Sequence, residues 1–358
     1  MREEEKHPQD HQSDDQTVTQ LLAHLKQMRG SVPVNYQLKS DLKKQLLQKM
    51  RDLEAKQTKA PNAAPKKLGK FVWTGIVAAA LILALGGFVW WNNTSLAVRE
   101  HEVLTLPAQA AVELVDIDSK ATQLAYIQNN TELKTIPIDA ELKPVTIKLP
   151  PTEGKYTGVA WSNSGKKIAV VEQDKKLSRI WIVEMPTSYS MGSSRLLKEE
   201  EGVVYSSPSW SEHDDSLAFT RSKNGVDEIW VSSTVSFQEW KLVEGSQPEW
   251  SPDGSLLAFN KAGEVQLMEM RTGKVTSLAV GQWASWSSDT RLTYTHPNGS
   301  LMEVNVGVEP FVTRELPLRN QSSEELIKGN WANKGKHLLL ISRHDQLQQL
   351  VISLASRK

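Results

Sequence analysis

Carboxylates and histidines are where a catalytic or metal-binding reading of this 358-residue chain would start. Asp253 and Asp289 are the acidic residues that suggest acid–base work, but each stands three residues after a tryptophan. Acidic residues that recur by position are turn residues first, because Asp hydrogen-bonds its own backbone. The eight histidines are scattered, and none pairs with another ligand at metal-binding spacing. His337 and His344 flank a predicted strand and read as exposed loop residues. The chain has no G-x-S-x-G elbow, no H-E-x-x-H, no Gly-rich phosphate loop and no EF-hand pattern. It has no cysteine, which excludes disulfides, thiolate chemistry and Cys-ligated zinc. No catalytic residue, metal site or cofactor is therefore expected. What remains is a set of polar residues placed a few positions ahead of tryptophans: Tyr156, Thr157, Ser206, Ser207, Ser246, Gln247, Gln282 and Lys328. Hydroxyls, amides and one ammonium suit contacts to a peptide or a glycan.

The elements that would carry these residues repeat. Trp161, Trp210, Trp250, Trp286 and Trp331 each precede a polar turn and a short apolar strand, with gaps of 49, 40, 36 and 45 residues. Ser251-Pro252-Asp253-Gly254 is the clearest of these turns, with type I chemistry at every position. Eight residues after the tryptophan stands Ala169, Ala218, Ala258 or Leu339; the copy at Trp286 is one residue shorter and has Thr293. A sixth, degenerate copy comes first, with Ile117 in place of tryptophan and Ala125 eight residues on. Each copy has a further strand: Leu133–Ile138, Arg179–Met185, Glu228–Ser233, Glu264–Met270, Leu301–Val306 and Gln348–Ser353. A period near 40 with this content predicts an all-β propeller of six four-stranded blades. Five equivalent tryptophans read as packing residues between blades.

"PEWSPDGSLLAF" closely resembles the repeat of TolB-like six-bladed propellers, and "PSWSEHDDSLAF" and "IWV" (Ile229–Val231) resemble it as well. The resemblance covers residues 101–358 and implies the fold. In propellers, ligands usually sit at the channel mouth, on loops entering the innermost strands, which here are the loops just before each tryptophan. Ring closure is also predicted. Too few residues follow Ser353 for a fourth strand, so Glu102–Pro107 should become the outermost strand of blade six and remove an exposed edge.

Phe71–Trp91 is an uncharged run of 21 residues. As a helix it would be roughly 31 Å long, enough to cross the hydrocarbon core. Trp73 and Trp90-Trp91 stand at its ends like interfacial anchors. Lys66, Lys67 and Lys70 flank one side, so residues 1–70 should lie in the cytoplasm and the C-terminal part outside. Residues 1–70 carry 14 basic and 9 acidic residues, whereas 92–358 carry 28 and 33. A net acidic outer part argues against nucleic acid as a partner. Residues 1–13 read as disordered. Two amphipathic helices follow, marked by Val18, Leu21, Leu22, Leu25 and Met28 and by Leu38, Leu42, Leu46, Met50 and Leu53. Their apolar stripes would pack on each other, on the inner leaflet or, over residues 14–57, on a cytoplasmic protein. Residues 92–100 read as a linker.

The expected function is a non-enzymatic, membrane-anchored extracytoplasmic protein that binds a protein, peptide or glycan at a bacterial cell envelope. Two alternatives stand beside it. One is a transmembrane regulator that senses through the propeller; its layout, and only its layout, resembles membrane-bound anti-sigma factors. The other is an enzyme with its active site in the channel.

Overall fold

The computed structural model describes residues 96–357, apart from 100–102, 108–110, 139–142, 320–323 and positions 188, 191, 237, 333 and 345. The predicted membrane span at 71–91 and the amphipathic helices within 14–57 lie outside the described residues. Among the described residues no helix is long and apolar enough to cross a membrane.

Six antiparallel sheets follow one another in the order the repeat predicts. Blade one is Val115–Ile117, Gln123–Gln128, Glu132–Pro137 and Val145–Ile147. Blade two is Lys155–Trp161, Lys167–Gln173, Leu177–Glu184 and Ser193–Glu201. Blade three is Val204–Trp210, Ser216–Lys223, Val226–Ser233 and Glu239–Glu244. Blade four is Ser246–Trp250, Leu256–Lys261, Glu264–Glu269 and Val275–Val280. Blade five is Gln282–Ser288, Arg291–Thr295, Leu301–Asn305 and Thr313–Glu315. Blade six contributes Glu325–Ala332, His337–His344 and Gln349–Arg357.

The fourth strand of blade six comes from the N-terminal side, in two pieces. Leu104–Pro107 pairs with Gln349–Ile352, and Leu96–Val98 pairs with Ala355–Arg357 on the same strand. The last strand therefore runs on to Arg357, four residues past its expected end at Ser353, because it has an edge partner along its whole length. The stretch 92–100, read as a linker, thus supplies part of the sheet. Leu96–Val98 also runs parallel to Leu318–Arg319, which caps the seam toward blade five.

In blades two, three and four the serine after the tryptophan sets the turn. The Ser162, Ser211 and Ser251 hydroxyls accept the backbone N–H of Lys167, Ser216 and Leu256 at 3.1, 3.0 and 2.9 Å. In the degenerate first copy Asp118 does the same for Gln123 at 2.8 Å. Each turn closes with an i to i+3 backbone bond, and its last residue has positive φ. Gly165 and Gly254 adopt that conformation freely. In blade three Asp214 adopts it instead, and its carboxylate accepts the N–H groups of Asn163 and Ser164 in blade two.

The tryptophans lie at blade interfaces. Opposite the residue preceding each tryptophan, in register on the second strand, is a fully buried position: Ala125, Ala169, Ala218, Ala258, Thr293 or Leu339. The indole of one blade packs where the previous blade presents that small residue. Ala125 clusters with Trp161, Ala169 with Trp210, Ala218 with Trp250 and Ala258 with Trp286. In blade five the small residue is Thr293, whose hydroxyl accepts the Trp331 indole N–H at 2.8 Å. At the closing seam both partners change together, and the larger Leu339 meets the smaller Ile117. Total volume is conserved across the seam, which is what a close-packed interface requires.

Candidate ligand site in the central channel

The innermost strands line the channel in two layers, counted back from the tryptophans. The residue one place before forms a ring of Asp116, Ala160, Ser209, Glu249, Ser285 and Asn330. Four of these side chains, Asp116, Ser209, Ser285 and Asn330, stitch neighbouring blades together. Asp116 Oδ2 accepts the Trp161 N–H at 2.8 Å, Ser209 Oγ accepts that of Trp250 at 3.2 Å, and Ser285 Oγ accepts that of Trp331 at 2.9 Å. Asn330 Nδ2 donates to Asp116 Oδ1 at 3.1 Å and closes the ring from blade six to blade one. Indole N–H groups add to this belt: Trp210 donates to the Ala160 carbonyl at 3.0 Å and Trp286 to that of Glu249 at 3.1 Å.

The residue three places before each tryptophan forms a second layer. In blades three, four and five the inner strand carries a bulge there, and Ser207, Gln247 and Trp283 have φ of 48, 54 and 56°. A bulge re-aims a side chain. For a residue as large as tryptophan this conformation costs about 1–3 kcal/mol, so the surroundings must hold it. Here Gln247 Oε1 accepts the Trp283 N–H at 3.2 Å, and the Lys328 ammonium sits 4.9 Å from the Trp283 ring centroid. Ser207 donates to Glu113, in the 3-10 turn Val112–Leu114 ahead of blade one, and so bridges past blade two.

A cavity of about 780 Å³ extends from Lys328 through the first layer to the turns that follow the tryptophans. All five tryptophans border it, and Lys120, Glu212, Asp289 and Lys334 stand at its rim. Its charge is concentrated at depth in Asp116, Glu249 and Lys328. Both carboxylates are enclosed by the ring, while channel solvent still reaches part of each. Burial pushes the Glu249 carboxyl up to about 7, reinforced by Asp116 and opposed by Lys328 and by a hydrogen bond from Ser209. Burial also raises Asp116, against the pull of Lys328 and the hydrogen bonds from Trp161 and Asn330. Among the described residues no group of three or more histidines or carboxylates could hold a metal ion.

Of the residues proposed from sequence, Lys328 lines this cavity. Ser207 and Gln247 lie in the bulged layer beside it, and Ser206, Ser246 and Gln282 are the ladder residues just ahead of those bulges. Thr157 is half-buried in its strand. Tyr156 is fully buried, and its hydroxyl donates to the Pro150 carbonyl. It is a core residue with no surface to offer a ligand. "KYTGVAW" and "VYSSPSW" place Tyr156 and Tyr205 at the same repeat position, and Tyr205 is fully buried too. The cavity is bordered by the turns after the tryptophans rather than by the loops before them. Asp116 and Glu249 belong to the site as well, since "DI" and "EW" hold the same repeat position and so mark a single ring. Asp253 is spent within its own turn, accepting from Ser251 and Ser255.

No protein-family model matches the chain. Among solved structures, it is similar to TolB from Acinetobacter baumannii at 19% identity and a TM-score of 0.51, over 67% of this chain and 65% of that one. An oligogalacturonate lyase in complex with manganese aligns at 14% identity and a TM-score of 0.49, over 68% of this chain and 76% of that one. A putative TolB from Agrobacterium tumefaciens aligns at 12% and 0.44, over 68% and 89%. The chain thus spans just under two thirds of the Acinetobacter protein's length. The likeness is one of fold: the described domain is a TolB-like six-bladed β-propeller.

Proposed function

We propose that the chain is a membrane-anchored, non-enzymatic binding protein of a bacterial cell envelope. Residues 71–91 would span the membrane, and the propeller would present its channel outside the cell to a protein or peptide. The observation that carries this reading is the cavity. It is large enough for several side chains, bordered by five tryptophans and rimmed by charges of both signs. Asp116 and Glu249 share it, which is the arrangement an enzyme would need. Both Asp116 oxygens, however, are occupied by N–H donors that hold the ring together. That leaves Glu249 as the one free carboxylate of the inner ring, without a second free acid or base beside it to form a hydrolytic pair. The apolar stripes within 14–57 support a cytoplasmic partner in addition, and a pull-down with residues 1–66 that recovers only lipid would remove it.

Site-specific photo-crosslinking in intact cells tests the proposal. A crosslinker at Lys120 or Lys334, both exposed at the cavity rim, should give a discrete protein adduct, whereas one at Val275 on an outer strand should not. Equal labelling at all three positions would refute a channel site. Because the chain has no cysteine, single cysteines at Lys120 and in residues 1–70 report topology with an impermeant maleimide. Only the first should be labelled from outside.

A further inference from the structure

The deep end of the cavity holds an unbalanced charge. Two carboxylates, Asp116 and Glu249, face one ammonium, Lys328. Asp116 is satisfied on both oxygens. Lys328 has the Trp283 face on one side as well as both carboxylates within electrostatic reach. Glu249 differs: among the described residues, the Ser209 hydroxyl is the one donor that reaches its carboxyl, although a carboxylate can accept about four hydrogen bonds. It faces open cavity, inside a wall that excludes most solvent. A half-satisfied carboxylate in such a place gains most from a ligand that brings both donors and positive charge.

We infer that the channel takes up one cationic group of a protein ligand, an ammonium or guanidinium, against the Glu249 carboxylate. The inference rests on the binding-protein reading above and names the chemistry that the site selects. A single organic cation neutralises the one unmatched charge. A divalent ion would face Lys328, and among the described residues no group of three histidines or carboxylates could hold it. An anion would meet the like charges of Asp116 and Glu249 beside Lys328. The rim does not decide the sign, since Lys120 and Lys334 are offset by Glu212 and Asp289.

Tryptophan fluorescence of the full-length chain provides the readout, since five indoles border the cavity. The probes are N-acetyl-lysine methylamide, N-acetyl-arginine methylamide, N-acetyl-norleucine methylamide and glycine methylamide. The last separates an α-amine from a side-chain cation. At pH 8 the lysine or arginine probe should bind at least tenfold more tightly than norleucine. Glu249→Gln should remove that preference. Between pH 8 and pH 6 the affinity should fall about tenfold as Glu249, which titrates near 7, takes up its proton. Glu249→Gln should abolish this pH dependence. Lys328→Met, which deletes the competing ammonium, should strengthen binding several-fold; it also decides the matter if Glu249→Gln fails to fold. Unchanged affinity in folded Glu249→Gln, equal binding of norleucine, or weaker binding in Lys328→Met would overturn the inference. A partner captured from the rim equally well by wild type and Glu249→Gln would preserve the binding function and refute the cation.

Discussion

Asn330 and Asp116 are 214 residues apart and joined by a 3.1 Å hydrogen bond inside the channel. The bond links the last innermost strand to the first. It works with the outer closure, where Leu96–Val98 and Leu104–Pro107 complete blade six. The ring is thus fastened at its inner and its outer radius. Asn330→Ala should cost about 1–3 kcal/mol, the penalty for withdrawing a donor from a buried carboxylate. Asn330 also helps hold the raised Asp116 carboxyl down. The loss should therefore be largest at pH 8, where Asp116 must carry its charge, and shrink as Asp116 protonates. Urea midpoints of both chains across that range check this, and a loss independent of pH would contradict it.

The alanine–tryptophan seams predict a compensating pair. Ala258→Leu should overpack against Trp286 and cost about 1–3 kcal/mol. Trp286→Ile alone should cost about 2 kcal/mol or more through the cavity it leaves. The double variant reproduces the Leu339–Ile117 seam that the protein already uses between blades six and one. Its cost should fall short of the sum of the two by at least about 1 kcal/mol. Strict additivity in a double-mutant cycle would show that volume is not what couples these positions.

The blades were legible because their signal is local and repeated. A serine after the tryptophan, a tight turn and a buried residue eight places on reappear even where Ile117 and Asp118 replace the usual pair. The predicted third strands match those observed to within two residues at each end, except the last. That one runs on to Arg357 because its length is set by pairing with residues more than 240 positions earlier, which no local pattern encodes. The site was less legible for a related reason. Bulges at Ser207, Gln247 and Trp283 decide which side chains reach the channel, and a bulge leaves no compositional mark in these strands. The role of Glu249 depends on Lys328 and Asp116 in two other blades, a juxtaposition made only when the ring closes.

Glu249 also sets a pH dependence of stability. Its folded pKa, about 7, lies above the ordinary carboxylate value of 4.5. Between those values the folded state holds more protons than the unfolded state. Stability should therefore fall as pH rises through this window and level off above it. Glu249→Gln should be more stable than wild type at pH 8 and close to it at pH 4.5. Thermal midpoints measured across the window check this; an equal offset at both ends would mean that Glu249 is not titrating in the folded protein.

Glu200 works in the opposite sense. A hydrogen bond from Arg221 lowers its carboxyl to about 2, against the opposing effect of burial and with help from the Tyr205 hydroxyl. A depressed carboxyl stabilises the fold above its unfolded pKa, and that stability is lost as pH falls from about 4.5 through about 2. Glu200 is partly exposed, so solvent screening reduces the effect to on the order of 1 kcal/mol. Glu200→Gln should therefore destabilise the protein at pH 7 and match wild type near pH 2. Raising the salt concentration at pH 7 should narrow the gap.

Leu96 tests where the propeller begins. It lies in the stretch read as a linker, yet it is fully buried among Leu301, Leu316, Leu338 and Leu340. Its N–H donates to the Pro317 carbonyl at 3.1 Å, and its strand completes the outer edge of blade six. A chain beginning at residue 101 would keep Leu104–Pro107 but lose this second piece. Ala355–Arg357 would become an open edge, and the Leu338–Leu340 face would be uncovered. Leu96→Ala should cost about 2–5 kcal/mol, as for any fully buried leucine that leaves a cavity. A chain starting at 101 should lose at least as much and become prone to edge-to-edge association. Urea unfolding with sedimentation at several protein concentrations separates the two effects. A chain from 101 that matches the full protein in both would place the start of the folded ring after Leu96 and leave that leucine's burial without energetic consequence.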